Sequence, residues 1–547
     1  MPLESFANTF NYFSMKKIAF ALLAAHLAAL AANAEIKIPK SAEEDSGKVM
    51  SQKYWDLWNP EVQKKIDADI EANRKADASF KVGEIEKGSK VRVEQISHEF
   101  FFGAHIFNFD QLGDKTLNAK YRSLFGTLFN SATVAFYWDK FEMQDGRPRY
   151  RGEYWDSQEF WEKCGDPKGQ IHWRRPPTDP VIDFLKARGV RVHGHTLVWG
   201  NRSYSIPAWL FDKCAEGGEK EKLAKILKSP IRRDVKNVPE QYTDFYRKMT
   251  SEEFDKYMPN FGRNFEKAFA KRIAELAEYY GGRVDSWDVV NESLQEFAEG
   301  SMNADGVFCK NPRYGFMPAD YTFKGFREAQ KRFPESVKLN INENPYGPFY
   351  LDKYGEQIKD LVSRGCKIDI VGWQMHIFDP AIIGAIANGD EPKNASYEMH
   401  MRKVTPKQIW EDFQKIGAAG KPIHMSEITI SAPDDTERGR MVQAIVARNL
   451  YRIWFSQKPS MGITWWNVLD DCGAPKEPAI SGLFTRGMSP KPAFFALDEL
   501  INKEWKTSLD ALPDANGDIK FRGFRGKYRI SWKSPDGSEK FAYYNLK

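Results

Sequence analysis

The chain of 547 residues is 42% hydrophobic, 14% aromatic and 28% charged, which is the composition of a globular protein and not of a disordered one. Its 80 basic and 75 acidic residues give a formal net charge of only +5, without a Lys/Arg run that would follow phosphates, so nucleic acid is not an expected partner. The length exceeds that of one ordinary domain, so we expect one large barrel with additions or about two to three units.

The N-terminus has the features of a secretory signal. Met15 and two lysines precede an apolar run, residues 18–32, which ends in the small residues Ala-Asn-Ala that a signal peptidase requires. A membrane anchor is disfavoured because the run is shorter than the roughly 20 residues that a bilayer needs. We therefore expect residues 1–34 to be a signal peptide that starts at Met15 and is cut before Glu35. The mature protein is expected to be secreted or periplasmic, with no membrane span.

Residues 35–97 follow as an N-terminal flank with both helical and strand patterns. Within this flank, residues 76–97 alternate like two strands around a Glu-Lys-Gly turn at residues 86–88. The pattern predicts a small β-rich addition in front of the main domain.

Short apolar runs then alternate with amphipathic stretches such as FEKAFAKRIAELAEYY, which is the pattern of parallel strands with crossover helices. Eight strands with intervening helices predict an α/β fold, a (β/α)8 TIM barrel over residues 98–500, with small β-rich additions at the N- and C-terminal flanks. The eight predicted strands are FFFGAHIF from Phe100, SATVAFYW from Ser131, VRVHGHTLVW from Val190, VDSWDVVN from Val284, VKLNINE from Val337, IDIVGWQMH from Ile368, PIHMSE from Pro422 and GITWWN from Gly462.

Polar and aromatic residues gather at the ends of these strands, where such a barrel carries its active site. Each one alone is more often a packing residue, but packing does not explain carboxylates and imidazoles at six strand ends that converge on one rim. The residues are His195 and Trp199 in strand three, Asn291 and Glu292 after strand four, Asn342 and Glu343 in strand five, Gln374 and His376 in strand six, Glu427 in strand seven, and Trp465 and Trp466 in strand eight.

Two of these carboxylates suggest the chemistry. Cleaving an acetal needs one group that protonates the leaving oxygen and another that attacks the anomeric carbon. Glu292 and Glu427, across the barrel mouth from each other, fit a retaining pair with carboxyl groups about 5–5.5 Å apart, whereas a wider gap would mean inversion. A general acid must be protonated near neutral pH, so we expect the pKa of Glu292 to be higher than that of Glu427.

Six segments resemble, in this order, the motifs of glycoside hydrolase family 10, the retaining endo-β-1,4-xylanases. The likeness covers most of the span from Ser97 to Leu497, and WDVVNE is its most specific part. It implies a polysaccharide-degrading enzyme that acts on xylan by double displacement, without cofactor or metal, and we expect a monomer. The segments are HGHTLVWG, WDVVNES, IDIVGWQMH, MSEITI, GITWWNVLDD and GLFTRGMSPKPAFFAL.

The resemblance assigns a role to each matching position. It implies that Glu292 is the acid/base, that Glu427 is the nucleophile and that Asn291 bonds the sugar hydroxyl beside the cleaved bond. His376 matches a histidine bonded to the nucleophile, with Gln374 next to it in the motif. The other implied substrate-binding residues are His195 and Trp199 on the glycone side and Trp466 as a platform under the reacting sugar.

Three positions depart from the family. Its second-strand segment commonly reads T-P-E-N-E-M-K-W, whereas here Thr133 is followed by VAFYWDKFE, which lacks the Asn-Glu pair and has Tyr137 in place of Lys. The missing groups grip the sugar one unit beyond the cleaved residue. Thr429 stands two residues after Glu427, where the family has Asp, and residues 471–472 are Asp-Cys where a second Trp is common. A decorated xylan or another β-linked polysaccharide therefore stays open as the substrate.

Two long insertions follow strands two and three. The first is RGEYWDSQEFWEKCGDPKGQIHWRRPP, and the second runs over residues 201–265. Loops on this side of a barrel shape substrate access, although a lid that folds on the barrel wall without touching sugar is an equal alternative. Cys164 and Cys214 lie one in each insertion, so a disulfide between them is compatible with the sequence, and the five cysteines form no C-x-x-C pair.

The C-terminal extension, residues 501–547, alternates like β-structure with a turn at residues 535–537. One reading is a carbohydrate-binding module with Tyr528, Trp532 and Tyr543 facing outward. We favour the other, a structural cap on the barrel, because the extension is short.

A second class of function also stays open, a barrel that binds polysaccharide without cleaving it. The altered second strand and the lost Asp favour it. Glu292 and Glu427 together with His376 and Gln374 argue against it, because a pure binder does not need a matched acid and nucleophile.

Overall fold

The computed structural model describes residues 36–201, 204–227, 251–297, 301–302, 308–309, 317–345, 347–475 and 477–547. The predicted signal peptide, residues 1–34, lies outside this described part of the chain. Within the described ranges, no helix is long and apolar enough to cross a membrane.

The described residues form sixteen strands, and eight of them close a parallel barrel in the order β3, β4, β5, β6, β9, β10, β11, β12 and back to β3. The predicted (β/α)8 barrel is therefore confirmed, and each predicted run overlaps one barrel strand. The strands are β1 Lys75–Lys81, β2 Val91–His98, β3 Phe101–His105, β4 Ser131–Ala135, β5 Arg191–Trp199, β6 Ser286–Asn291, β7 Ser301–Met302, β8 Phe308–Cys309, β9 Lys338–Glu343, β10 Ile370–Ile377, β11 Ile423–Ile430, β12 Ser460–Trp465, β13 Ser508–Ala511, β14 Asp518–Phe524, β15 Gly526–Lys533 and β16 Glu539–Leu546.

Helices cover the outside of the barrel and connect its strands. Short 3-10 turns lie at Tyr154–Asp156 and Gly281–Arg283, and a π-helix lies at Glu499–Glu504. The α-helices are Gln52–Leu57, Pro60–Arg74, Lys115–Ser123, Trp138–Phe141, Gln158–Lys163, Thr178–Ala187, Ala208–Cys214, Glu219–Leu227, Ser251–Tyr257, Pro259–Tyr280, Leu294–Phe297, Tyr321–Arg332, Gly347–Ser363, Pro380–Asn388, Ala395–Val404, Pro406–Gly417, Glu437–Ser456 and Pro492–Asp498.

The barrel strands are apolar runs because helices cover their outer face while side chains fill the interior. Every residue of β10 and β11 is buried. The helix Glu437–Ser456 between β11 and β12 is itself buried along most of its length. The N-terminal helix Pro60–Arg74 packs outside it, where Arg452 donates to Gln63 Oε1 (2.6 Å). The N-terminal flank therefore adds a layer to this side of the barrel.

Both chain flanks build one small β unit beside the barrel. β2 lies between β13 and β15 in a four-stranded sheet that continues to β16, and β1 pairs with β14. Apolar side chains from both flanks, such as Val93 and Ile519, share one core. The two β-rich additions that the sequence predicts at separate ends are thus parts of the same structure.

The disfavoured alternative of a carbohydrate-binding module, in which Tyr528 faces outward, is contradicted at this residue. Tyr528 is fully buried in the core of this unit, and its hydroxyl donates to the carbonyl of Phe524 (2.6 Å). It lies on the same face of β15 as the buried Ile530, while Tyr543 on the edge strand β16 is 47% exposed. The proposed aromatic surface therefore lacks one of its three residues.

The first insertion is fixed to the barrel by a buried ion pair. Arg149, just before the insertion, donates to both carboxylate oxygens of Asp156 inside it (2.6 and 2.7 Å). Cys164 and Cys214 carry free thiols, so they do not form the disulfide that the sequence left open. Part of the second insertion, residues 228–250, lies outside the described chain.

Gly194 in β5 makes room for the indole of Trp287 in β6. A Cβ at Gly194 would lie 2.3 Å from Cε3 of Trp287, which is far inside the contact distance. We expect Gly194→Ala to lower the free energy of unfolding by about 1–3 kcal/mol, because the indole must shift in a packed core. Urea denaturation measures this loss. Gly282→Ala is the control, since a Cβ there meets no atom within 4 Å; an equal effect of both changes would contradict the packing argument.

Candidate active site

The two predicted catalytic carboxylates come from separate sides of the barrel mouth, with β9 and β10 between their strands. Glu292 directly follows β6 with a φ of 53°, a left-handed conformation that is uncommon outside glycine and typical of functional turns. Its backbone N–H donates to the carbonyl of Asn342 (2.8 Å). Its half-buried side chain accepts a hydrogen bond at Oε2 from Nε1 of Trp199 (3.2 Å). Strand, turn and indole together fix this carboxylate.

Glu427 in β11 is the deeper carboxylate, with its side chain 7% exposed. Its Oε1 accepts a hydrogen bond from Nδ2 of Asn342 (2.8 Å) and lies 3.8 Å from Nε2 of His195. Its Oε2 lies 3.5 Å from Nε2 of His376. Three other strands of the barrel, β5, β9 and β10, thus meet β11 at one carboxyl group.

Burial raises the pKa of Glu427 to about 8, and the negative charges of Glu292 and Asp288 act in the same direction. The sequence expectation placed the raised pKa on Glu292. The burial effect falls on Glu427 because β11 holds this residue below the rim of the barrel, a depth that the sequence pattern does not show. The charge of Glu292 acts on Glu427, so the two glutamates lie near each other at the barrel mouth.

Asn342 in β9 links the two sides of this site. Its Nδ2 donates to Oδ1 of Asn291 (2.9 Å) as well as to Glu427, while its Oδ1 accepts from the hydroxyl of Ser426 (2.5 Å). Gln374 Nε2 donates to the same oxygen of Asn291 (3.2 Å). The sequence placed Asn342 at a strand end but gave it no role, because a strand pattern does not reveal which side chains meet across the barrel.

His195 is held by a buried carboxylate that the sequence analysis missed. Asp288 Oδ2 lies 2.8 Å from Nδ1 of His195 and 2.9 Å from Nε2 of His193. Burial acts to raise the pKa of Asp288, but the two imidazoles outweigh it and hold this pKa well below its usual range. Asp288 is therefore ionised and accepts from both rings. This fixes the His195 imidazole with Nε2 toward Glu427. The available signal was the motif WDVVNE, which contains Asp288 as well as Asn291.

His376 has Thr429 as its partner at the position where the sequence departs from the resembling family. Its Nδ1 lies 2.9 Å from the hydroxyl of Thr429. Burial lowers the pKa of His376 to about 4, so the ring is neutral at neutral pH. A hydroxyl thus orients this imidazole without adding a negative charge next to Glu427.

Aromatic residues at the barrel mouth form a cluster of their own, apart from the main core. Trp466 is 4% exposed, and its indole lies 5.7 Å from the ring of His195 and 6.3 Å from that of His376 between centroids. The predicted sugar platform therefore lies next to the residues that surround Glu427. The cluster consists of Phe107, Ala135, Tyr137, Trp199 and Trp466, with Tyr204 packed against it.

The first insertion ends in two arginines that reach this wall. The guanidinium carbon of Arg175 lies 3.8 Å from the centroid of the Tyr137 ring and 5.2 Å from that of Phe107. Nη2 of Arg174 lies 3.4 Å from Nε2 of His105. The C-terminal end of this insertion therefore packs against the aromatic wall of the barrel mouth, and its role in substrate access stays a prediction. The sequence showed both arginines but not where the insertion leads them.

Among the residues that the structure describes, no three or more His, Cys, Asp or Glu side chains are grouped so that they could hold a metal ion. The site offers instead two interacting carboxylates, a set of amide and imidazole groups around the deeper one, and a wall of aromatic rings. This arrangement can transfer a proton and supply a carboxylate nucleophile across one substrate bond, beside flat faces suited to sugar rings.

Comparison with known proteins places this arrangement in a family. The sequence model described as "Glycosyl hydrolase family 10" matches residues 114–255 and 247–500. Endo-1,4-beta-xylanase B of Thermotoga neapolitana is 23% identical over 341 residues, which is 60% of this chain and 75% of that protein. Beta-1,4-xylanase of Dictyoglomus thermophilum is 22% identical over 361 residues, 60% of this chain and 80% of the relative.

Solved structures are also similar to the chain. Native xylanase 10B from Thermotoga maritima aligns with a TM-score of 0.47 and 19% identity, covering 74% of this chain and 96% of that one.

The raised pKa of Glu427 predicts how the stability of the protein depends on pH. Between the ordinary carboxyl pKa of 4.5 and about 8, the folded chain binds this proton and the unfolded chain does not, so the free energy of unfolding falls as pH rises. Glu427→Gln removes the titrating group. We expect its stability relative to the parent to increase with pH in this window, by about 1 kcal/mol per pH unit.

Thermal unfolding from pH 5 to pH 8 measures this difference. Glu84→Gln, at an exposed carboxyl, is the matched control and is expected to give a constant difference from the parent. A Glu427→Gln curve that runs parallel to that of the parent would contradict the buried titration.

Proposed function

The chain belongs to glycosyl hydrolase family 10, and we propose that it is an endo-β-1,4-xylanase that cleaves xylan with retention of configuration. In this proposal Glu292 is the acid/base and Glu427 is the nucleophile. The observation that carries it is the environment of Glu427, a buried carboxylate with a neutral amide donor and two imidazoles around it and a second glutamate across the mouth.

The reaction takes two steps in this site. First, the protonated Glu292 gives its proton to the glycosidic oxygen while a carboxylate oxygen of Glu427 attacks the anomeric carbon, so that the leaving chain departs as an alcohol and a glycosyl ester forms. Next, the Glu292 carboxylate takes a proton from water, the water oxygen attacks the same carbon, and the ester bond to Glu427 breaks. Two inversions give net retention.

The proton shared by the two glutamates must lie on Glu292 for the first step. The burial of Glu427 works against this, whereas His195 and, to a smaller extent, the Asn342 hydrogen bond lower the pKa of Glu427 by favouring its charged form. The developing positive charge at the anomeric carbon adds to this effect during reaction. His195 and Asn342 therefore both help to keep the deeper carboxylate available as a nucleophile, and Asn342 does so through a direct hydrogen bond.

The neighbouring residues position the sugar. Asn291 has its Oδ1 held by Asn342 and Gln374, so its amide nitrogen is left to donate to a sugar hydroxyl. Trp466 supplies an apolar face beside His195, and Trp199 fixes the carboxylate of Glu292. These contacts support the substrate-binding roles proposed for all of these residues.

The names of the similar proteins support xylan as the substrate. The second candidate substrate is a decorated xylan or another β-linked polysaccharide. Tyr137 favours it, because it lies in the aromatic wall in place of the family's sugar-binding Lys. We further propose that the protein acts as a secreted or periplasmic monomer, because the N-terminal sequence has the features of a secretory signal.

Replacing Asn342 tests how the nucleophile is kept ionised. Without its N–H donor the Glu427 carboxylate is less favoured and its pKa rises further, so we expect Asn342→Ala to move the acid limb of kcat/KM to higher pH, by up to about one unit. We also expect kcat/KM at the optimum to fall roughly 5- to 30-fold. Ser426→Ala is the control, because Ser426 contacts Asn342 Oδ1 and leaves the donor in place. Equal shifts in both variants would contradict this role.

Product release from neutral xylan, arabinoxylan, glucuronoxylan, mixed-linkage glucan and cellulose tests the function itself. We expect the parent to release xylo-oligosaccharides and Glu427→Ala to release none, with azide restoring turnover as a glycosyl azide of inverted configuration. Glu292→Gln should lose about 10²- to 10⁴-fold on xylan, yet keep most of its glycosylation rate on an aryl xyloside whose leaving group needs no proton. Silence of the parent on every xylan would refute the proposal.

A further inference from the structure

Arg174 and Arg175 bring two positive charges to the aromatic wall beside Glu427. The Arg175 guanidinium stacks 3.8 Å from the ring of Tyr137, which lies 5.2 Å from the ring of His195. His195 in turn lies 3.8 Å from Oε1 of Glu427. The guanidinium carbon of Arg174 lies 5.7 Å from the ring centroid of Phe107, so both charges lie on the aromatic wall near Glu427.

Neither arginine has a carboxylate partner in the described part of the chain. Arg174 is 4% exposed, and its Nη2 contacts only His105 Nε2 (3.4 Å) and Asn467 Oδ1 (3.5 Å), while its buried Nε has no hydrogen-bond partner among the described residues. The one hydrogen bond of the Arg175 guanidinium there runs from Nη1 to the carbonyl of Arg174 (2.8 Å). Glu477 and Asp139 act on Arg175 only at longer range.

A neighbouring arginine shows that the insertion does not need an arginine without a carboxylate partner to hold it in place. Arg149 is as buried as Arg174 and binds both oxygens of Asp156, which is how a structural arginine is normally satisfied, while Arg175 is half-buried. Burial lowers the pKa of Arg175 to about 10, so its guanidinium stays charged at neutral pH. A desolvated cation without an anion, placed beside a substrate wall, is a site for an anion that arrives with the substrate.

We infer that Arg174 and Arg175 bind a carboxylate carried by the substrate, so that this chain prefers a β-glycan with uronic acid substituents on the glycone side. The inference rests on the proposed function and narrows its substrate class. A guanidinium offers two parallel N–H donors that match a carboxylate, and an arginine stacked on Tyr137 presents that planar edge in a fixed orientation. The resembling family has a single Lys at the position of Tyr137 for neutral sugar hydroxyls, whereas this chain brings two guanidinium groups to this wall.

The test compares two substrates that differ only in charge. One is a set of xylo-oligosaccharides with uronic acid side groups, and the other is the same set after reduction of the carboxyl groups to primary alcohols. We expect the parent to show a kcat/KM about tenfold or more higher on the acidic set. This ratio should fall as ionic strength rises, because the recognition is between charges.

Arg175→Gln should bring the ratio close to one, because it lowers kcat/KM on the acidic set far more than on the reduced set, and Arg175→Lys should restore part of the preference. Arg151→Gln, an exposed arginine in the same insertion with a side chain 85% exposed, is the matched control and should keep the parental ratio. Equal loss on both substrates in Arg175→Gln would assign the residue to structure or to neutral hydroxyls and would overturn the inference. So would a parental ratio of one.

Failure of the inference is distinguishable from failure of the proposed function. Cleavage of neutral xylan without any charge preference overturns only the inference. If the parent cleaves no xylan, calorimetric titration tests the inference by comparing the binding affinities for the acidic and the reduced oligosaccharides. Binding of the acidic set at least about tenfold tighter, dependent on Arg175, supports the carboxylate site, and equal binding overturns it.

Discussion

The site depends on keeping one carboxyl group ionisable inside a buried parallel sheet. Burial removes the water that stabilises a carboxylate, and the hydrogen bond from the Asn342 amide replaces only part of that stabilisation for Glu427. The imidazoles of His195 and His376 complete its surroundings, each with its outer nitrogen held by a partner, Asp288 for one ring and Thr429 for the other. Since these groups come from different strands, the register of the barrel fixes the chemistry of this single carboxyl.

The charge balance around Glu427 follows from the same constraint. Asp288 is also a buried anion, but two histidines surround it and hold it ionised. A second anion beside His376 would add to the charges that already act on Glu427, and a neutral hydroxyl occupies that place in this chain. The insertion brings the guanidinium of Arg175 next to Tyr137, which stands where the resembling family has Lys.

The sequence predicted what is periodic and missed what depends on contacts between distant segments. The eight strands and the polar residues at their ends could be read from runs of apolar residues and from motifs, because a parallel strand is buried on both faces. The role of Asn342 could not, since it needs the side chains of β6, β9 and β11 to meet. The position of an insertion in space is not indicated by any periodic sequence pattern, so Arg175 received no predicted role from the sequence. The burial of Tyr528 was readable in principle, because Ile530 shares its face of β15.

The small β unit beside the barrel has a consequence for the order in which the chain can be assembled. β2 lies between β13 and β15, whose residues follow it by more than four hundred positions. During synthesis from the N-terminus, β2 therefore emerges long before either neighbour exists and remains an unpaired edge while the whole barrel is made. β13 and β15 are made only after the barrel strands, so the sheet around β2 can form only after the barrel has been synthesised.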